Sequence, residues 1–103
     1  MHAIRFSPVA LDQLLDATAY YLSVHPNRKS THLVEIIVEA LYPARRFPES
    51  GAIIRPLSEL TGMQYRRVNA WHCALFYRVE SKSPTIVIDL VLHERSQAVQ
   101  DIV

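Results

Sequence analysis

Between Gln64 and Ser96 the chain reads QYRRVNAWHCALFYRVESKSPTIVIDLVLHERS, three apolar-cored segments in close succession. Trp71-His72 and Ser81-Lys82-Ser83-Pro84 separate them, which leaves room for turns and nothing longer. Segments joined so tightly pair antiparallel. A β-meander is therefore expected over the last third, with strands at Gln64 to Ala70, Cys73 to Glu80 and Thr85 to His93. Charged groups interrupt or end each strand: Arg66 and Arg67, then Arg78, then His93, Glu94 and Arg95.

The upstream chain has to cover that sheet. Ala3 to Phe6 is a short candidate strand. Ser7 followed by Pro8 is a helix start, because a serine hydroxyl caps the first turn and proline at the first helical position loses no hydrogen bond. Leu11, Leu14, Leu15, Thr18 and Leu22 follow on one helical stripe. His25-Pro26-Asn27 ends it. A second helix is predicted from about Asn27 to Arg46, with Leu33, Ile36, Ile37, Ala40, Leu41 and Ala44 as its apolar stripe. Pro43 should kink or terminate its last turn. Phe47 to Gly51 is a turn cluster, and Ile53 to Leu57 reads as one more strand.

These elements predict an α+β fold: an N-terminal strand, a helical hairpin, then an antiparallel meander with the helices packed on one face. Period-two alternation assigns Ile86, Ile88, Leu90 and Leu92 to the face under the helices, with Leu75, Tyr77, Val79 and Val68. The opposite face should expose Phe76, Val87 and Val91 beside Tyr65, Arg67, Arg78, His93 and Arg95. An apolar stripe rimmed by cations is a candidate protein-binding groove. Arg66 either braces the sheet against the helices or grips an acidic partner.

The chain has 103 residues, enough for a single domain over 1–103 with one core. Its net charge of +1 is unevenly spread. Residues 45–78 hold six arginines against Glu49 and Glu59, a basic belt on a nearly neutral chain. Dedicated nucleic-acid binders are usually more basic overall. The lone Cys73 falls inside a strand and is expected to be a buried thiol. The five histidines show no metal-ligand spacing, and no phosphate-cradling glycine loop is present, so neither metal nor cofactor is expected. No apolar run approaches the ~20 residues that cross a membrane. Without a secretion signal the expected location is the cytoplasm.

The order of elements, FSPVALDQL at 6–14, Ala-Tyr-Tyr-Leu at 19–22, the Phe47-Pro48-x-x-Gly51 turn, Tyr65-Arg66-Arg67-Val68, Leu75-Phe76-Tyr77-Arg78-Val79 and Val91-Leu92-His93-Glu94-Arg95 together resemble the RelE/ParE superfamily of toxins from bacterial toxin–antitoxin pairs. The resemblance covers nearly the whole chain. It implies a type II toxin held inactive in a hetero-oligomer with a cognate antitoxin. One branch of the superfamily comprises ribosome-dependent mRNA endonucleases, which use clustered polar groups on the outer sheet face. The ParE-like branch instead inhibits DNA gyrase by protein contact.

Matched residue by residue, Arg67 and Tyr65 fall where the nuclease branch often has basic residues, and His93 falls near a position of Arg or His. Ala74 stands where that branch commonly has an arginine, and Val99 near its usual terminal tyrosine. Phosphodiester cleavage needs proton donors and acceptors in reach of both the attacking and the leaving oxygen. Here a nuclease would have to work with Arg67, Arg78, His93 and Arg95. The ParE-like reading is therefore preferred, with Arg66, Arg67, Phe76, Arg78, Val87, Val91, His93 and Arg95 as candidate partner-binding residues. An mRNA interferase, or a degenerate non-toxic homologue, is the alternative.

Overall fold

The alternating segments of the last third become β3 (Arg66–Ala70), β4 (Cys73–Glu80) and β5 (Thr85–His93) in a computed structural model that describes residues 1–94. Ahead of them run β1 (Ala3–Phe6), α1 (Pro8–Val24), α2 (His32–Ala40), α3 (Tyr42–Arg46), a single 3-10 turn at Pro48–Ser50, β2 (Ala52–Ile53) and α4 (Arg55–Thr61). The sheet order is β1-β5-β4-β3-β2. β1 lies parallel to β5, and every other pairing is antiparallel. The α+β class and the helix-covered meander are as the sequence predicts.

Ser7 caps α1, its hydroxyl accepting from the Ala10 N–H at 3.2 Å, and Pro8 opens the first turn. The buried stripe of α1 is displaced by one residue from the predicted one. Ala10, Leu14 and Tyr21 are buried, whereas Leu11 and Leu15 are exposed. The second helix is two helices. The chain breaks at Leu41, and Pro43 sits in the first turn of α3, where its missing N–H costs no ladder bond.

One element departs from the sequence reading in kind. Ile53 to Leu57 is not a strand: β2 ends at Ile53, and Arg55-Pro56 begins α4. Pro56 stands in its first turn, and Gly62, at φ 74, closes it in the left-handed conformation that glycine adopts without penalty. Ser58 ties the helix to the sheet by accepting the Tyr65 N–H at 2.9 Å.

α4 covers part of the face expected to be open. Beneath it Ile54, Tyr65, Ala74, Phe76 and Leu92 form a second small core, with Leu57 and Leu90 against them. The main core lies on the other face, where Ala10, Leu14, Tyr21, Leu33 and Ile37 pack on Leu75, Tyr77, Ile86, Ile88 and Val91. The expected exposure of Phe76, Val87 and Val91 is thus corrected: all three are buried. Phe76 lies in the second core. Val87 lies between its cross-strand neighbours Arg5 and Arg78.

Val91 is buried for a different reason. The register of β4 with β5 slips between Phe76 and Tyr77: Tyr77 faces Ile88 and Phe76 faces Leu90, leaving Asp89 with no opposite residue. Such a bulge moves every later side chain to the other face. Ile86 and Ile88 point into the main core as predicted. Beyond Asp89 it is Val91 that points there, while Leu90 and Leu92 join the second core.

Candidate partner-binding site

The residues of the proposed basic face are engaged inside the protein. Arg78 Nε donates to Asp89 Oδ2 at 2.7 Å, and the Tyr65 hydroxyl donates to the same oxygen. The bulge presents Asp89 to both. The hydrogen bond to Asp89 favours the charged guanidinium and raises the Arg78 pKa. Burial, reinforced by the Asp89 carboxylate, pushes the Tyr65 hydroxyl up to about 12. Arg67 Nε donates to Asn69 Oδ1 at 2.8 Å, and its guanidinium lies 5.9 Å from the centre of the Phe76 ring.

Arg66 stands on the other side of β3, opposite Tyr77. It donates from one nitrogen to the carbonyls of Glu49 and Gly51, each at 2.8 Å. The Tyr77 hydroxyl donates to Pro48 O at 2.7 Å and accepts from the Gly51 N–H at 3.1 Å. Arg66 therefore braces the turn that follows α3.

The bulge also relocates His93. It pairs with Cys73 on the main-core side, and its ring centre lies 5.2 Å from Tyr20, 6.0 Å from Trp71 and 6.1 Å from His72. Arg67 and Arg78 are on the opposite face, where each is the register partner of a residue in the outer layer. The structure brings Arg78, Asp89 and Tyr65 together and does not bring His93 to them. Arg95 and Val99 lie outside the described residues, and Ala74 is part of the second core. Trp71, at φ 55 in the turn between β3 and β4, packs its ring 5.1 Å from Tyr21 and 5.8 Å from Tyr20. The Cys73 thiol is buried as expected, and burial, aided by Glu94, pushes it up to about 11.

Among the described residues is an apolar concavity that the sequence did not announce. β1 accompanies β5 only as far as Ile88, where Ser7 N–H donates to Ile88 O at 2.9 Å and the chain turns into α1. The end of β5 then has α1 beside it instead of a strand. Gln13 Oε1 accepts the Val91 N–H at 2.7 Å, satisfying an amide that a neighbouring strand would otherwise take. The resulting groove, about 400 Å³, is lined by Gln13, Asp16, Ala17 and Tyr20 of α1 and by Val91, Leu92 and His93 of β5. Leu11 and Leu15 lie exposed on the same helix, 49% and 63% accessible, so α1 offers more apolar surface than a helix with one buried stripe requires.

Among the described residues no group of His, Cys, Asp and Glu is placed to hold a metal ion, and no helix is long and apolar enough to cross a membrane.

Residues 4–98 match the family model described as ParE toxin of type II toxin-antitoxin system, parDE. Among solved structures the chain is similar to one described as the chromosomal ParDE TA system from P. aeruginosa, at 22% identity and a TM-score of 0.62. The match covers 90% of this chain and 96% of that one, and at such identity it speaks to the fold. No curated protein matches.

Proposed function

The chain belongs to the ParE toxin family of type II toxin–antitoxin systems, and on that premise we propose that it inhibits DNA gyrase by direct binding and is neutralised by a cognate antitoxin seated in the groove between α1 and the end of β5. The observation that carries the first part is the separation of His93 from Arg67 and Arg78. Acid–base cleavage of RNA needs a proton-transfer group and charge-stabilising groups around one phosphate. Here the imidazole packs against Tyr20 on the helical side, while Arg78 is bonded to Asp89 on the other. Blocking a macromolecule by contact needs no such convergence.

The groove supports the second part. The buried Phe76, Val87 and Val91 no longer supply an apolar contact surface. Tyr20 of α1 is exposed and lines the groove with Ala17, Val91 and Leu92. A partner helix or extended segment laid there would bury it. Gyrase as target places the action in the cytoplasm.

The test is a supercoiling assay with purified gyrase, run beside an mRNA cleavage assay on translating ribosomes. Inhibited supercoiling with intact mRNA is the expected result, relieved when the protein encoded by the adjoining gene is added. Codon-dependent cleavage with unaffected gyrase overturns it.

A further inference from the structure

The groove contains one carboxylate, and its situation narrows what can fill it. Asp16 lines the groove from α1, between Gln13 and Tyr20. No described residue gives the Asp16 carboxylate a hydrogen bond or an ion pair, although Arg5 and Arg78 pair with carboxylates elsewhere. The α1 sequence, PVALDQLLDATAYYLSV, carries two aspartates and no lysine or arginine. The basic belt begins only at Arg45. The described lining of the groove thus holds one carboxylate, the His93 imidazole and no lysine or arginine, unlike the cationic rim expected from the sequence.

In the free protein the carboxylate is hydrated. An apolar segment seated against Ala17, Val91 and Leu92 would displace that water. A carboxylate shut away without a donor is costly, and an acidic residue facing it costs more. Gln13 gives it no hydrogen bond; its carbonyl oxygen accepts from the Val91 N–H. The occupant must bring the missing donor.

We propose that the antitoxin segment seated in this groove is an apolar stretch carrying a lysine or arginine placed against Asp16, so that pairing with Asp16 selects the cognate antitoxin. This rests on the groove being the antitoxin site and adds the chemistry of what enters it. The desolvated pair acts on dissociation, and the acidic helix speeds encounter with a basic segment at low salt.

The experiment titrates the full-length toxin with the purified protein encoded by the adjoining gene, with thermal unfolding checked for each variant. Asp16→Lys should weaken binding at least about tenfold, Asp16→Asn should weaken it less, and reversing one lysine or arginine of that protein to glutamate should restore affinity to Asp16→Lys. Asp12→Lys, the same charge change outside the groove lining, should shift affinity less than about twofold. Ala17→Trp, which fills the groove, should abolish binding.

Lost binding in Ala17→Trp with unchanged affinity in Asp16→Lys overturns the cation inference and leaves the groove reading standing. Unchanged binding in Ala17→Trp overturns the groove reading itself. Equal losses in Asp12→Lys and Asp16→Lys would reduce the effect to general charge and also overturn the pairing. Two results would replace the occupant and overturn the proposal. One is tighter binding after Arg95→Ala, which would make the chain's own terminal cation the occupant. The other is a toxin dimer in sedimentation that Asp16→Lys dissociates, which would make it a second copy.

Discussion

The two faces of the sheet are buried by different means. On one, α1 and α2 lay Leu14, Tyr21, Leu33 and Ile37 over Leu75, Tyr77, Ile86 and Ile88, and Arg66 borders that core at the turn after α3. On the other, the seven residues of α4 and the residue before it supply Ile54 and Leu57, and charged side chains border what they leave uncovered. Arg5 pairs with Glu80 at 2.9 Å and Arg78 with Asp89 at 2.7 Å on that side. The difference shows that a sheet face rich in arginines need not be a binding face. Here Arg5 and Arg78 close the protein's own surface, and the groove we propose for the partner lies beside α1 on another side of the molecule.

The sharpest way to break this comparison is Phe76→Ala. A phenylalanine on an open face contributes little, whereas one sealed under α4 should cost about 3–5 kcal/mol when truncated. Urea unfolding measures it against Val79→Ala, a residue of the same strand that is 45% exposed and should change stability by under about 0.5 kcal/mol. A cost below about 1 kcal/mol at Phe76 would mean that the outer face is not sealed.

A smaller effect sharpens the comparison at its electrostatic point. Asp89 serves Arg78 and Tyr65 from one bulge position. Asp89→Ala leaves a guanidinium and a hydroxyl without their acceptor in a partly buried place and should cost about 1.5–3 kcal/mol. Replacing Arg78 by Met as well should recover part of that loss, because removing both partners costs less than orphaning one. A double-mutant cycle in urea gives the coupling, and a value near zero would make Arg78 a free surface cation after all.

How much of this could be read in the sequence follows from the range of each interaction. Strand limits in β4 and β5, the Ser7 cap and the break near Pro43 are set by neighbours within a few residues, and all were legible. The bulge was not. Ile86, Ile88, Leu90 and Leu92 alternate perfectly, and nothing local reveals that Asp89 bulges out of register and bonds Arg78 of β4 and Tyr65 just ahead of β3. That one slip put His93 and Val91 on the wrong side in the sequence reading, so that His93 was grouped with Arg67 and Arg78, which lie on the opposite face. The helix α4 was legible in part: Pro56 and Gly62 bracket it as proline and glycine bracket many helices, but the apolar Ile53-Ile54 outweighed them. The stop of β1 at Phe6 was legible in Ser7-Pro8, but that β5 runs on past it to His93 with α1 at its side is a tertiary event with no sequence mark.

The smallest effect compares two tyrosines, one for each face. Tyr65 donates to a carboxylate under α4, and burial together with Asp89 raises it from 10.0 to about 12. Tyr77 is raised by burial on the main-core side, but the Gly51 N–H and Arg66 favour its phenolate and oppose the shift. Tyr65 should therefore ionise after Tyr77 in an absorbance titration, and Tyr65→Phe should remove the step near 12 while Tyr77→Phe leaves it. A raised pKa means that the folded state holds the proton more tightly than the unfolded one. The contribution of Tyr65 to stability is then complete below about pH 10 and disappears as the pH climbs through about 12. Tyr65→Phe should flatten stability across that window alone. If Tyr77 proves the last to ionise, the carboxylate is not buttressing the outer face, and the contrast between the two faces loses its electrostatic half.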